Sequence, residues 1–236
     1  MPGVVEGLMF SLVLPTYNEA ENLPRCVDAV CGVLAGRDFE IIVADDDSPD
    51  RTWAVAEGLG NPRVRILRRT ENRGLSPAVI DGFEAAGGDR LGVMDADLQH
   101  DEAILPQMID ALEENEFVSG SRATEGGSYG DWSLARRFSS WAAATLARAV
   151  VGVKLSDPMS GYFVLRREVF DRVRARLSPK GFKVLLEIFC LARPSPYLEI
   201  GYTFRCRRAG RSKVSTGVAC DYVKSLLELR RRMKAE

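Results

Sequence analysis

The stretch LGVMDADLQ, residues 91–99, joins a short apolar run to three oxygen-bearing side chains, Asp95, Asp97 and Gln99, at alternate positions. If Leu91 to Met94 form a buried strand, the two carboxylates and the amide can point the same way where the chain leaves the sheet. Hard divalent cations such as Mg²⁺ or Mn²⁺ take oxygen ligands of this kind, with waters and a substrate's phosphates completing the octahedron. The same residues also suit a solvated loop that caps a helix beginning near Asp101. The rest of the chain decides between these two readings.

Outward from that stretch, apolar runs at Leu8–Leu14, Phe39–Ala44, Val64–Leu67 and Leu91–Met94 are mostly followed by polar residues and a helical pattern. This alternation predicts an α/β fold with a mostly parallel central sheet and helices on both faces. Ligands of such sheets bind at the carboxyl ends of the strands. A polar cluster follows every one of those ends: Pro15 to Glu19, Asp45 to Asp50, Gly74 to Ser76, and Asp95 to Gln99. A further strand is expected over Glu116–Ser119, ending in Gly120, Ser121 and Arg122. Glycines at 126, 127 and 130 predict a flexible, lid-like loop before a helix over Ser133–Val151. Asp157 to Gly161 opens another polar cluster, Tyr162–Leu165 reads as a strand, and a helix is expected over Lys183–Leu191. A late strand over Tyr197–Arg207 precedes a basic amphipathic helix over Ala219–Lys234.

A chain of 236 residues holds one large domain with a full core and a tail. Its 46% hydrophobic and 28% charged residues exclude a disordered chain and a membrane bundle. Net charge is only −1, but Arg205, Arg207, Arg208, Arg211, Lys213 and Arg230 to Arg232 crowd the end of the chain. Such a region can meet phosphates, anionic lipid or nucleic acid, or simply form a solvated face. Cys26, Cys31, Cys190, Cys206 and Cys220 form no pair with zinc or redox spacing, so reduced residues and a cytoplasmic protein are expected. No secretory signal is read at the N-terminus, and Trp141–Val153 is too short to span a bilayer.

Taken singly, several clusters have plain structural readings. Asp47 or Ser48 can cap a helix with Pro49 in its first turn, and Ser76 can cap the helix after Gly74. Three consecutive carboxylates at 45–47 nevertheless repel one another unless a ligand or cation uses them. His100 is the only histidine, which excludes histidine-rich zinc sites and is expected at the surface or at a helix cap. Arg122, Arg136, Arg207 and Lys213 are cations suited to phosphate oxygens.

The ordered set Pro15–Glu19, Asp45–Asp50, Gly74–Ser76, Asp95–Gln99, Gly120–Arg122, Asp157–Gly161, Gly181–Glu187 and Arg207–Lys213 resembles the polyprenyl (dolichyl) phosphate mannose synthases. These are inverting nucleotide-sugar glycosyltransferases. The resemblance implies a single Rossmann-like nucleotide-sugar-binding domain of the glycosyltransferase A type over 1–213, followed by the basic amphipathic helix over 214–236, for which a membrane surface is one of two readings. It implies that Pro15, Tyr17, Glu19, Ala44 and Asp46 hold the guanosine of GDP-mannose. Asp95, Ala96, Asp97 and Gln99 would carry Mg²⁺ or Mn²⁺ and the diphosphate, with phosphate contacts from Arg122, Arg207 and Lys213. Arg136 and Ser140 would meet the phosphate of a polyprenyl (dolichyl) phosphate acceptor, while Asp157 and Lys183 line the mannose pocket. Asp97, Arg122 and Arg136 are thus the expected catalytic residues. Asp101 and Glu102 depart from the prolines that often follow the Gln–His pair in the family.

A lipid monophosphate is already anionic at neutral pH, so attack on the anomeric carbon needs little general-base help, in keeping with one histidine. The expected partners are GDP-mannose, the lipid phosphate, and a membrane surface or a membrane-anchoring subunit on the cytoplasmic side, with no nucleic acid. A UDP-sugar donor is the alternative within the reaction class, and a silent nucleotide-sugar-binding subunit the alternative outside it. The Trp141–Val153 helix and the tail around Leu226, Leu227 and Leu229 are read either as bilayer-surface helices or as helices packed on the domain or a partner.

Overall fold

The β-branched and leucine-rich runs pair into a single seven-stranded sheet, in a computed structural model that describes residues 9–178, 183–205 and 218–234. The strands are β1 (Phe10–Thr16), β2 (Phe39–Asp45), β3 (Val64–Arg68), β4 (Arg90–Val93), β5 (Phe117–Ser121), β6 (Phe163–Arg166) and β7 (Tyr197–Gly201). Their order is β3-β2-β1-β4-β6-β5-β7. Only β6 runs antiparallel to its neighbours β4 and β5, and every other pairing is parallel. The expected mostly parallel α/β sheet is what forms.

Between the strands lie α1 (Leu23–Val33), α2 (Thr52–Gly58), α3 (Leu75–Ala85), α4 (Leu105–Ala111), α5 (Leu134–Val151), α6 (Arg167–Asp171) and α7 (Val184–Ala192), and α8 (Val218–Lys234) follows β7. Side chains alternate across the sheet and build two cores. Phe10, Leu12, Leu14, Ile41 and Val43 pack with α1, α2 and α4 on one face. Val13, Ile42, Phe163 and Leu165 pack with α3 and α5 to α8 on the other. In this second layer Phe117 stacks on Phe163 at 5.5 Å and Phe83 meets Phe163 edge-on at 6.2 Å. Burying side chains of this size contributes about 1.5–3 kcal/mol each.

Several local expectations are corrected. Helix α2 begins at Thr52, so neither Asp47 nor Ser48 caps it. Asp50 does that work, its Oδ1 accepting from the Thr52 backbone N–H at 3.0 Å. Ser76 lies inside α3, which starts after Gly74 at φ 141°, and its buried hydroxyl has no hydrogen-bond partner. The late strand stops at Gly201, though Tyr202 to Phe204 continue extended: the Ser128 N–H donates to the Tyr202 carbonyl and the Phe204 N–H to that of Ser128, both at 2.9 Å. That bridge ties the middle of the glycine-containing loop to the chain after β7. Gly127 and Gly130 allow the close approach, since a Cβ on either would strike backbone of Arg122 or Phe204.

The tail helix α8 docks on the domain. Tyr222, Leu226 and Leu229 are buried in the second core, and the Tyr222 hydroxyl donates to the Ala143 carbonyl of α5 at 3.1 Å. Arg232 pairs with Glu187 of α7 and donates to the Arg176 carbonyl at 2.8 Å. Val223 and Leu227 are left facing outward. Helix α5 is divided along its length. Its later residues Ala144, Ala147 and Val151 are buried, whereas Leu134, Phe138 and Trp141 near its start are 81%, 66% and 56% exposed. Among the described residues no helix is long and apolar enough to cross a membrane.

Candidate active site

Parallel strands β1, β2, β4, β5 and β7 deliver their carboxyl ends to one edge of the sheet, where Tyr17, Asp46, Asp95, Arg122 and Tyr202 follow. Because β6 is antiparallel, the residues leading into it, Asp157 to Gly161, arrive at that same edge. A Cβ built on Gly161 would lie 3.5 Å from Asp95 Oδ2, which places the two clusters side by side.

At the β1/β2 side, Pro15 is in register with Ala44. Glu19 is buried and accepts from Asn22 Nδ2 at 2.7 Å, and Tyr17 stands 39% exposed at the rim. Each of the three consecutive carboxylates has partners of its own. Asp45 accepts from Thr16 Oγ1 at 2.8 Å and from Ser48 Oγ at 2.6 Å. Asp47 is paired with Arg68 and Arg73, whose guanidinium groups hold its carboxyl below the ordinary value. Asp46 is paired with buried Arg69 and accepts the Gly74 N–H at 2.7 Å. Burial still pushes the Asp46 carboxyl above the usual carboxylate range. The repulsion expected along 45–47 is thus answered from within the protein, and no local signal in the sequence marks Arg69 for the task.

At the end of β4, Leu98 takes a left-handed conformation at φ 63°. This costs of order 1–3 kcal/mol for a non-glycine residue and persists only where the surroundings enforce it. The turn lets the Gln99 N–H donate to Asp97 Oδ1 at 3.1 Å. Gln99 Nε2 donates to the Arg205 carbonyl at 3.0 Å, which leaves Oε1 as the amide atom free to meet a cation. Arg205 is itself fixed by Asp101 and Glu102, both at 2.6 Å. His100 is 3% exposed and neither a surface residue nor a cap, since Tyr162, Tyr202 and Phe204 surround it and its Nε2 approaches Asp95.

Among the described residues no three His, Cys, Asp or Glu side chains cluster to hold a metal by themselves. Asp95, Asp97 and the Gln99 amide are the donor types that a hard divalent cation takes when phosphate oxygens supply its remaining ligands.

At the end of β5 the principal finding is a pairing. Arg122 Nε and Nη2 donate to the two oxygens of Asp157 at 2.7 and 2.9 Å, and the Arg122 backbone N–H adds a third bond at 3.1 Å. Both residues are buried, and Tyr129, Trp132 and Phe204 place ring centroids 5.1–5.4 Å from the guanidinium carbon. Burial disfavours the charged guanidinium, but its bonds to Asp157 outweigh that and raise its pKa. Burial first, then repulsion by Arg122, lowers the Lys183 ammonium to about 8. On α5, Arg136 stacks on Trp132 at 3.7 Å, with half-buried Ser140 one turn further on. Beside Arg122 opens a cavity of about 490 Å³ whose lining includes Tyr129, Arg137, Phe138 and Trp141. Arg122 and Arg137 both line this cavity, and Arg137 is a residue the sequence reading did not single out. Arg207 and Lys213 lie outside the described residues.

A sequence model described as "Glycosyl transferase family 2" matches residues 11–174, the span that carries this edge from β1 through Asp157. The chain belongs to glycosyl transferase family 2. Within the family it is 36% identical to the dolichol-phosphate mannosyltransferase of Saccharomyces cerevisiae, over 94% of this chain and 87% of that protein. Identity to the Pyrococcus furiosus dolichol-phosphate mannosyltransferase is 40% over 93% of this chain, which spans 63% of the length of that relative. The undecaprenyl-phosphate mannosyltransferase of Micrococcus luteus is 33% identical over 89% of each chain. The fold is also that of glucosyl-3-phosphoglycerate synthase from Mycobacterium tuberculosis, solved with Mn²⁺, UDP and glucosyl-3-phosphoglycerate. The TM-score is 0.71 at 22% identity, over 95% of this chain and 80% of that one. The glycosyltransferase A-type architecture expected from the ordered motifs is therefore the one this family 2 chain adopts.

Proposed function

We propose that this family 2 glycosyltransferase moves mannose from GDP-mannose to the phosphate of a polyprenyl (dolichyl) monophosphate with inversion, giving GDP and a β-linked mannosyl phosphate lipid. The observation that carries the reading is the cavity beside Arg122, in which Arg137 adjoins the exposed apolar side chains Phe138 and Trp141. An anionic head with an apolar chain matches that combination, and the relatives named for such acceptors support it.

Pro15, Tyr17, Glu19, Ala44 and Asp46 would hold the guanosine. Asp95, Asp97 and Gln99 would hold Mg²⁺ or Mn²⁺, with Ala96 keeping the backbone close. A cation held there would offset the charge that develops on the departing diphosphate. Arg122, Arg207 and Lys213 hold donor phosphate oxygens. Arg136 and Ser140, with Arg137 beside them, hold the acceptor phosphate. Asp157 and Lys183 border the sugar. These groups bring two mutually repelling anions within reach of each other, so positioning supplies most of the catalysis. The acceptor also gives the start of α5 a place at the bilayer surface, where Leu134, Phe138 and Trp141 contact lipid and Arg136 and Arg137 meet head groups. That arrangement makes the protein peripheral on the cytoplasmic face, alone or through an anchoring subunit.

The test is a radiolabelled transfer assay with GDP-mannose and UDP-glucose against a short prenyl phosphate. GDP-mannose is expected to be used and Asp97→Ala to abolish transfer while the protein still melts cooperatively. Preference for UDP-glucose, or tight GDP binding without any transfer, would overturn the reading.

A further inference from the structure

Glu199, on edge strand β7, contacts neither the cavity nor the carboxylate loop, yet its carboxylate makes the bonds that fix the turn below Arg122. Its Oε2 accepts the Ser156 N–H at 2.8 Å. Its Oε1 accepts the Ser156 hydroxyl at 2.8 Å and the Asp157 N–H at 3.2 Å. Ser156 Oγ lies 2.9 Å from Ser121 Oγ, which in turn accepts the Ala123 and Thr124 N–H groups at 3.3 and 3.2 Å. Arg148 of α5 adds a bond from Nη1 to the Ser156 carbonyl at 3.1 Å. One carboxylate thereby ties the segment carrying Asp157 to the strand end carrying Arg122.

We infer that Glu199 is the positioning residue of the Arg122–Asp157 pair, fixing the Asp157 backbone so that both carboxylate oxygens face the guanidinium. Asp157 spends its oxygens on three donors of Arg122, so its orientation is set by its backbone and not by a solvent-adapted side chain. The two backbone N–H groups there, those of Ser156 and Asp157, both end on Glu199, while Arg148 and the Ser160 N–H hold the carbonyls of Ser156 and Asp157. An aligned guanidinium offers its remaining N–H groups to a phosphate from a fixed plane, and a carboxylate shell that supports it sharpens that geometry. The consequence for phosphate binding rests on the function proposed above. The consequence for Arg122 order does not.

The experiment compares Glu199→Ala, Glu199→Gln and Ser156→Ala with the unaltered protein. The Arg122 Nε–H signal is read by NMR, assigned by its loss in Arg122→Lys, and KM for GDP-mannose is measured separately from kcat. Glu199→Ala is expected to speed exchange of the Arg122 Nε–H by about tenfold or more and to raise KM by a similar factor. Glu199→Gln, which keeps one acceptor oxygen, restores part of both, and Ser156→Ala gives a smaller change because the bonds from the Ser156 and Asp157 N–H groups to Glu199 remain. Unchanged Arg122 exchange in a folded Glu199→Ala would overturn the inference. So would equal acceleration at Arg69 Nε, held by Asp81 at 2.7 Å on the far side of the sheet, since that marks general loosening. Should Glu199→Ala not fold, Glu199→Gln and Ser156→Ala carry the same two readings. Exchange is measured without substrate, so failure of mannosyl transfer would overturn the proposed function and leave this inference standing.

Discussion

His100 places Nε2 3.4 Å from Asp95 Oδ2, while its Nδ1 lies 2.8 Å from the Tyr202 hydroxyl. If Tyr202 donates to Nδ1, Nε2 is the nitrogen that can donate to Asp95. A buried ring fixed on both sides holds the carboxylate in one orientation without entering the chemistry. His100→Phe keeps the ring volume and loses the donor, and is expected to weaken Mn²⁺ binding by about 10–100-fold. His100→Gln, whose amide can still donate, should retain most of it. Electron paramagnetic resonance titration with Mn²⁺ and GDP gives both affinities, and equal values for the two variants would remove the role.

The Arg122–Asp157 pair makes a second prediction. Breaking one side of a buried ion pair leaves an uncompensated charge, at a cost of about 3–5 kcal/mol. Asp157→Asn should therefore lower stability to denaturant by that order and reduce turnover, while Asp157→Asn combined with Arg122→Met recovers stability but not turnover. Failure of the double variant to recover stability would show that the pair is not the source of the cost.

Lys183 predicts a pH dependence. Its folded pKa of about 8 lies below the ordinary lysine value of 10.5, chiefly because burial disfavours the ammonium. A depressed lysine costs stability while the unfolded chain holds the proton and the folded one does not hold it well, so stability rises with pH between about 8 and 10.5. Affinity for an anionic donor moves the other way, falling as the ammonium is lost above about 8. Lys183→Met should flatten both profiles, and an unchanged GDP affinity profile between the two proteins would exclude Lys183 from the donor site.

Docking of α8 makes the tail part of the folding unit. Leu226 is 1% exposed, and truncating a buried leucine to alanine costs about 2–5 kcal/mol. Leu226→Ala should lower the melting temperature, whereas Leu227→Ala, at a position 46% exposed, should leave it nearly unchanged. Equal small effects in calorimetry would mean that the helix leaves the domain in solution.

Much of this was legible from local pattern, because strand periodicity and the residues after each strand are properties of neighbours in the chain. The run from Leu91 to Gln99 announces a strand end with three oxygen donors, and the structure puts it at the ligand-binding edge. A helical turn does begin where the sequence suggested, near Asp101, but it is Asp101 itself that caps it, through the Ala103 N–H at 3.2 Å. Other features depend on distant partners. Asp45, Asp46 and Asp47 look like a repelling cluster until Arg68, Arg69 and Arg73 are brought against them.

The sequence alone determined the α/β class, the order of polar clusters along the sheet and the oxygen-rich character of the loop after β4. Tertiary structure alone decided that β6 runs antiparallel, which carries Asp157 to the same edge as Arg122 across 35 residues of chain. It also decided that the single histidine is buried under Asp95 and that α8 packs on the domain. The reason is physical: periodicity reports which side of an element is apolar, whereas strand direction and the partner of a buried charge are fixed only when non-local surfaces close over them.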